Sequence, residues 1–198
     1  MTGGGMPGAV LWNCALFVAI FLQAVPSVAW GLGPRYSLYG KARLVEIEAP
    51  NVVKMEMLDG KRTTPVRLLG VGSPHNRDRT RRIGSEVVLF IQKHQLWEAS
   101  RTYVRSLLQG KVVEVWTRKW DRYDDKNRLL AYIMVPADGE RPLDLNAEII
   151  RNGMGFVTRD YVHVTFASYR QLEEDARKHQ RGLWKGILWK QASLTRSR

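Results

Sequence analysis

The chain has 198 residues, 44% of them hydrophobic and 25% charged, enough for one ordinary domain with a buried core; wholesale disorder, collagen-like and coiled-coil architectures are excluded. Its single cysteine, Cys14, excludes a disulfide framework and a thiolate zinc cluster. With 31 Lys and Arg against 19 Asp and Glu, the net charge of +12 points to a polyanionic partner such as nucleic acid, an anionic membrane surface or an acidic glycan, or else to a basic exported protein without one.

Residues 1–29 contain no Asp, Glu, Lys or Arg. An apolar run from Ala9 to Val25, interrupted only by Asn13 and Gln23, meets Pro26, and Ser27-Val28-Ala29 sets small residues at the −3 and −1 positions before Trp30. That layout predicts a secretory signal peptide, removed on export to a secreted or periplasmic location. The missing basic n-region leaves an uncleaved anchor through residues 9–25 as the alternative, the run being at the short end for a membrane span. Cleavage would leave a chain without cysteine, suited to an oxidising compartment.

Residues 30–41, with Gly31, Gly33, Pro34 and Gly40, read as a linker. From Ala42 the pattern becomes two-residue: Val53, Met55 and Met57 alternate with Lys54 and Glu56, and Asp59-Gly60 supplies a hairpin turn. Further strands are expected over Thr64–Val71, Val112–Thr117 and Leu129–Val135, with Asp124-Asp125-Lys126-Asn127 as a polar turn. Apolar spacing predicts helices over Glu98–Leu108, over Ala147–Asn152 with Asn146 as N-cap and Gly153 at C′, and over Tyr169–Gln180 before Gly182. Short-spaced strands, one helix inserted late and two at the end predict an α+β, mainly β domain: a closed Greek-key barrel. Residues 187–198 form a basic tail.

Four elements carry a family resemblance. Val66-Arg67-Leu68-Leu69-Gly70-Val71-Gly72-Ser73-Pro74 resembles the "RLxGIDTPE" strand and loop of the thermonuclease, or staphylococcal-nuclease-like, family. Asn127-Arg128-Leu129-Leu130-Ala131-Tyr132-Ile133 is similar to its "GRxLAYV" element, and Asn146–Gly153 to its "NxxLVxxG" helix. Glu173–Arg177 followed by Arg181-Gly182-Leu183-Trp184 resembles its closing "AExxARxxxxGLW". The four occur in the family's order over residues 42–186, and the resemblance implies an OB-fold barrel of five strands with three helices.

It also implies a chemistry, namely phosphodiester cleavage by a calcium ion, a carboxylate beside the attacking water and two arginines on the phosphate. Both arginine positions are kept, as Arg67 and Arg128, able to give bidentate charge-assisted bonds to phosphate. The acidic positions are not. The family's two metal-binding aspartates fall on Asn51 and Gly72, the threonine after the second becomes Ser73, and the water-activating glutamate falls on His75. Neutral donors do not offset the charge of a calcium ion that wants 6–8 oxygen ligands, so no cofactor is expected unless Glu46, Glu48, Asp78, Asp124 or Asp125 rebuilds the site. His75 acting alone as a base would supply about 10²–10⁴-fold, far too little for a phosphodiester.

Arg77, Arg79, Arg81 and Arg82 follow this loop and are candidates for backbone phosphates. Tyr161 matches one of the family's nucleotide-stacking tyrosines, while Arg159 and Lys126 stand at the other two positions, shifting the balance from stacking towards charge. Trp116, Trp120, Trp184 and Trp189 read as core or capping residues. Residues 84–97 lengthen the loop beyond the family's spacing, with an apolar stretch that packs on the barrel or meets a partner. The expectation is an exported, catalytically degenerate domain that binds DNA, RNA or another polyanion, with Arg67 and Arg128 an uncompensated pair holding an anion. The alternatives are a weak or rearranged nuclease, a protein-interaction module, and an Arg67 that pairs with Glu46 or Asp144 and only staples the barrel.

Overall fold

The computed structural model describes residues 32–73, 80–83, 86–89, 93–137 and 141–185. The export or anchor segment, the tail 187–198, Trp189, Asp78 and part of the segment 84–97 lie outside the described residues.

Strand β1, Tyr36–Ala49, is long enough to serve two partners. Its first part pairs antiparallel with β7, Val112–Arg118, and its second part with β2, Val52–Met57, register irregularities between the two letting the strand bend. The linker expected over residues 30–41 is therefore wrong from Tyr36 onwards: Gly40 lies in the ladder, and Leu32 and Tyr36 are core residues. After a turn with Lys61 in the left-handed region, β3, Arg62–Leu68, returns along β2.

The expected strand to Val71 breaks at Gly70, whose φ of +75° turns the chain into the short β4, Val71–Gly72. A β-carbon on Gly70 would come within 2.6 Å of the His163 ring, so only glycine fits both the backbone and the contact. Strands β5, Thr80–Ile83, and β6, Glu86–Leu89, form a separate hairpin, so the lengthened loop contains a sheet of its own. Helix α1, Lys93–Leu108, begins earlier than its apolar spacing predicts.

Strand β8, Leu129–Val135, is buried along its whole length. It pairs antiparallel with β7 and with the short β9, Leu143–Asp144, and parallel with β3 through Val66–Leu129, Arg67–Leu130 and Leu68–Ala131. The order β3-β2-β1-β7-β8 with that last pairing is a ring of five strands, OB in topology. The ring is not closed as a full barrel, because the β3–β8 seam spans three residue pairs only. Its interior holds Ile47, Val53, Met55, Met57, Val66, Leu68, Val113, Val115, Leu129 and Ile133.

Helix α2, Leu145–Arg151, lies on this core, ended by Asn152 with Gly153 following it. Its N-cap is Asp144, whose carboxylate accepts from the amides of Asn146 and Ala147 and from the Tyr169 hydroxyl; burial pushes this carboxyl up against those bonds. Asn146 is not the cap. It is fully buried, and its side-chain amide donates to the carbonyls of Leu69 and Ala131, tying the residue that follows β3 to β8 at the end of their short seam. The chain then forms β10, Phe156–Val157, against β4, and helix α3, Phe166–Lys178, with a 3₁₀ turn at Gly182–Trp184. Buried Glu173 accepts from the Val157 amide and pairs with Arg177, joining α3 to β10. Phe156, Ala176, Leu183 and Trp184 make a second apolar cluster there.

Candidate functional site

Arg67 points outward near the end of β3, beside Val52 on one side and Leu130 on the other. Arg128 immediately precedes β8 at the end of the hairpin from β7. The parallel seam therefore sets the two guanidiniums at one place on the rim, each side chain about one-sixth exposed (17% and 16%).

They are not an uncompensated pair. Asp124 lies between them, not in a solvated turn as expected: its side chain is fully buried. Oδ1 accepts from the backbone amides of Lys126 and Arg128, both at 2.9 Å. Oδ2 accepts from Arg128 Nε at 2.7 Å and a terminal nitrogen at 2.6 Å, and stands 4.0 Å from Arg67. Burial pushes this carboxyl up, but the Arg128 guanidinium and the two amides outweigh it and hold it below the usual range.

Arg67 has a second carboxylate partner that the sequence did not indicate. Asp160 accepts from its terminal nitrogen at 2.6 Å, and the Asp160 side chain is half-exposed. The same guanidinium stands 5.1 Å from the centre of the Tyr161 ring, and the Tyr161 hydroxyl donates to Asp125 at 3.3 Å. Glu46 and Glu48 pair with Lys54 instead, and Asp144 is occupied as a helix cap. The only sequence signals were indirect: an aspartate followed two and four residues later by amides it can bind, and Asp160 next to Tyr161.

Beside Arg67, Asn51 sits in the β1–β2 turn, where its carbonyl accepts from the Leu68 amide. Both ends of its side chain are engaged: Nδ2 donates to the Val71 carbonyl and Oδ1 accepts from the Ser73 hydroxyl, both at 3.0 Å. At Gly72 a β-carbon would fall 2.2 Å from the ring of buried Phe156. Among the described residues, the donors here are thus one amide and one hydroxyl already bonded to each other, with no carboxylate. They do not fit a calcium ion, which needs anionic oxygens. Among the described residues, no group of three or more His, Cys, Asp and Glu side chains is placed to hold a metal.

Of the other candidates, Lys126 is exposed at the hairpin tip, and Arg159 packs over the Phe166 ring at 4.4 Å. His75, Arg77 and Arg79, and the side chains of Arg81 and Arg82, lie outside the described residues. Trp116 and Trp184 are buried, whereas Trp120 is 58% exposed and not a core residue.

No curated protein matches the chain. The five-stranded ring and its three helices agree with a family match that covers residues 65–186, more than half of the sequence: this chain belongs to the staphylococcal nuclease homologues.

Proposed function

We propose that the chain is an exported nuclease-like domain that binds nucleic acid, or another polyanion, through Arg67 and Arg128 and no longer cleaves it. The observation that carries this reading is the pairing of two guanidiniums on one rim with a neighbouring pocket whose donors, Asn51 and Ser73, are neutral and satisfy each other. Guanidinium donors suit non-bridging phosphate oxygens. Among the described residues, no carboxylate lines this pocket to hold the ion of a metal-activated water.

Asp124 fixes Arg128 in orientation, as a carboxylate does for any bidentate guanidinium, and leaves part of its fork for a ligand. Asp160 is the exposed partner of Arg67, and a phosphate takes its place on binding. Lys126, Tyr161 and the arginines at 77, 79 and 81 extend the contact along the strand, and the net charge of +12 supplies the attractive field. Residues 1–29 carry the domain out of the cytoplasm, either as a cleaved signal or as an anchor through residues 9–25.

The test is incubation of labelled single-stranded DNA and RNA with the full chain, in calcium and in chelator, with binding measured in parallel. Binding without cleavage in either condition is expected. Calcium-dependent cleavage at the rate of a working nuclease overturns the reading and favours a rearranged active site.

A further inference from the structure

The long hairpin between β7 and β8 carries an aromatic group that the guanidinium site does not use. Tyr123, one residue before Asp124, is 47% exposed, and its backbone bridges to Leu129 at the start of β8. Its hydroxyl lies 3.3 Å from that of Tyr39 on β1. The Tyr39 hydroxyl also accepts from Arg62 at 2.8 Å, and the Arg62 guanidinium stands 5.5 Å from the Tyr39 ring centre. Arg122 faces the same pair and is pinned by donating to the Arg118 carbonyl at 3.1 Å.

We propose that Tyr123, braced by Tyr39 and flanked by Arg62 and Arg122, is a base-stacking subsite for single-stranded nucleic acid. The proposal rests on the polyanion-binding reading above and adds to it a contact with bases. A half-exposed aromatic ring is unfavourable in water and gains by covering its face. Here the ring is held on a braced hairpin, so little freedom is lost when a base stacks on it. The Arg62 and Arg122 charges beside the tyrosine pair suit the phosphates that flank a stacked base. Burial, with the neighbouring Tyr123 hydroxyl, raises the Tyr39 phenol above its ordinary value, so this bracing hydroxyl stays neutral and does not repel phosphate.

The brace also spans a gap: below the short seam, Arg62–Pro65 of β3 has no pairing to β8, and the Tyr39–Tyr123 contact lies beside it. A purely structural brace and a stacking subsite differ in one measurable respect, the dependence of binding on the presence of bases. The experiment compares the full chain's affinity for oligothymidylate and for an abasic oligomer of equal length and charge. The thymidylate is expected to bind about tenfold more tightly, a typical effect of stacking one base. Tyr123→Leu, which keeps apolar bulk, is expected to bring the ratio to about one without changing affinity for the abasic oligomer, while Tyr123→Phe keeps the ratio. Equal binding of both oligomers by the wild type, or a ratio unchanged in Tyr123→Leu, overturns the subsite and leaves the polyanion reading standing. Binding to neither oligomer overturns both.

Discussion

The Asp124 carboxylate grips Arg128 through two guanidinium nitrogens, at 2.7 and 2.6 Å, and is itself completely shielded from solvent. The cost of desolvating it is offset only while the guanidinium and the amides of Lys126 and Arg128 remain in place. Asp124→Asn removes the charge and leaves Arg128 partly buried without a counter-ion. A loss of about 1.5–3 kcal/mol in chemical denaturation is expected, the range for bonds to charged groups. Because the folded carboxyl is held below its unfolded value of about 3.9, its stabilisation is complete above that pH and disappears as pH falls through the depressed value. The wild type should therefore lose stability below about pH 4, and the variant should lack that part of the slope.

Arg67 meets its strongest partner, Asp160, at the surface, so this pair can open. Removing the competing carboxylate in Asp160→Asn should raise affinity for an oligonucleotide by up to about fivefold, the upper end for an exposed ion pair. Arg67→Ala should lower affinity alike for all sequences and reduce the salt slope of log K by about one. Arg67→Ala/Asp160→Asn should match Arg67→Ala alone, since the carboxylate acts only through the arginine. A gain from Asp160→Asn that persists without Arg67 would show that Asp160 acts by general repulsion.

The strands with strict alternation and the helices with three- and four-residue spacing were legible because each has one buried face. Residues 36–41 were not: two glycines and a proline nearby resemble a linker, and only the ladder running from Tyr36–Arg118 to Lys41–Glu114 shows that the backbone is paired. Arg67 and Arg128 were readable from their motifs, whereas their charge balance was not. Asp160 is 93 residues from Arg67, and nothing local marks a contact made by the return of the chain after β10. Asp124 was misread because a turn aspartate in water and one buried under an arginine have the same sequence. Asn146 was read as a cap on the same local logic, although its amide is consumed by the carbonyls of Leu69 and Ala131 and the cap is two residues earlier.

His163 links the bend at Gly70 to the start of α3. Its ring bonds the Thr165 hydroxyl at 3.0 Å and the Thr158 carbonyl at 3.1 Å, under the Gly70 backbone. Burial lowers its pKa, only partly opposed by the Thr158 bond, so the folded state prefers the neutral ring. Stability linked to His163 is then complete above the unfolded value of about 6.5 and falls as the pH drops from there through the lower folded value. Melting temperatures recorded between about pH 7 and 5 should decline in the wild type more steeply than in His163→Gln. Parallel curves would show that the ring does not titrate in that window.

Gly72 determines whether a carboxylate-lined calcium site can be built beside Asn51 by substitution. Asn51→Asp is sterically mild, since the new oxygen replaces the amide nitrogen now bonded to the Val71 carbonyl, although it sets a negative charge against that carbonyl. Gly72→Asp is different: its β-carbon would lie 2.2 Å from Phe156 Cε2 and 2.6 Å from Cζ, and Phe156 is buried in the cluster with Leu183 and Trp184. The ring has to move, taking β10 and its pairing with β4 along, at the 1–3 kcal/mol (roughly) typical of overpacking. Asn51→Asp/Gly72→Asp should therefore unfold at lower denaturant than Asn51→Asp alone, and calcium should recover little of the difference because the added carboxylate is displaced with its strand. Adding Phe156→Leu should recover stability by making room for the β-carbon, and calcium titration of that triple variant should show tighter binding than the double variant. Full stability of Gly72→Asp on its own would mean that Phe156 yields freely and that packing does not keep the carboxylate out.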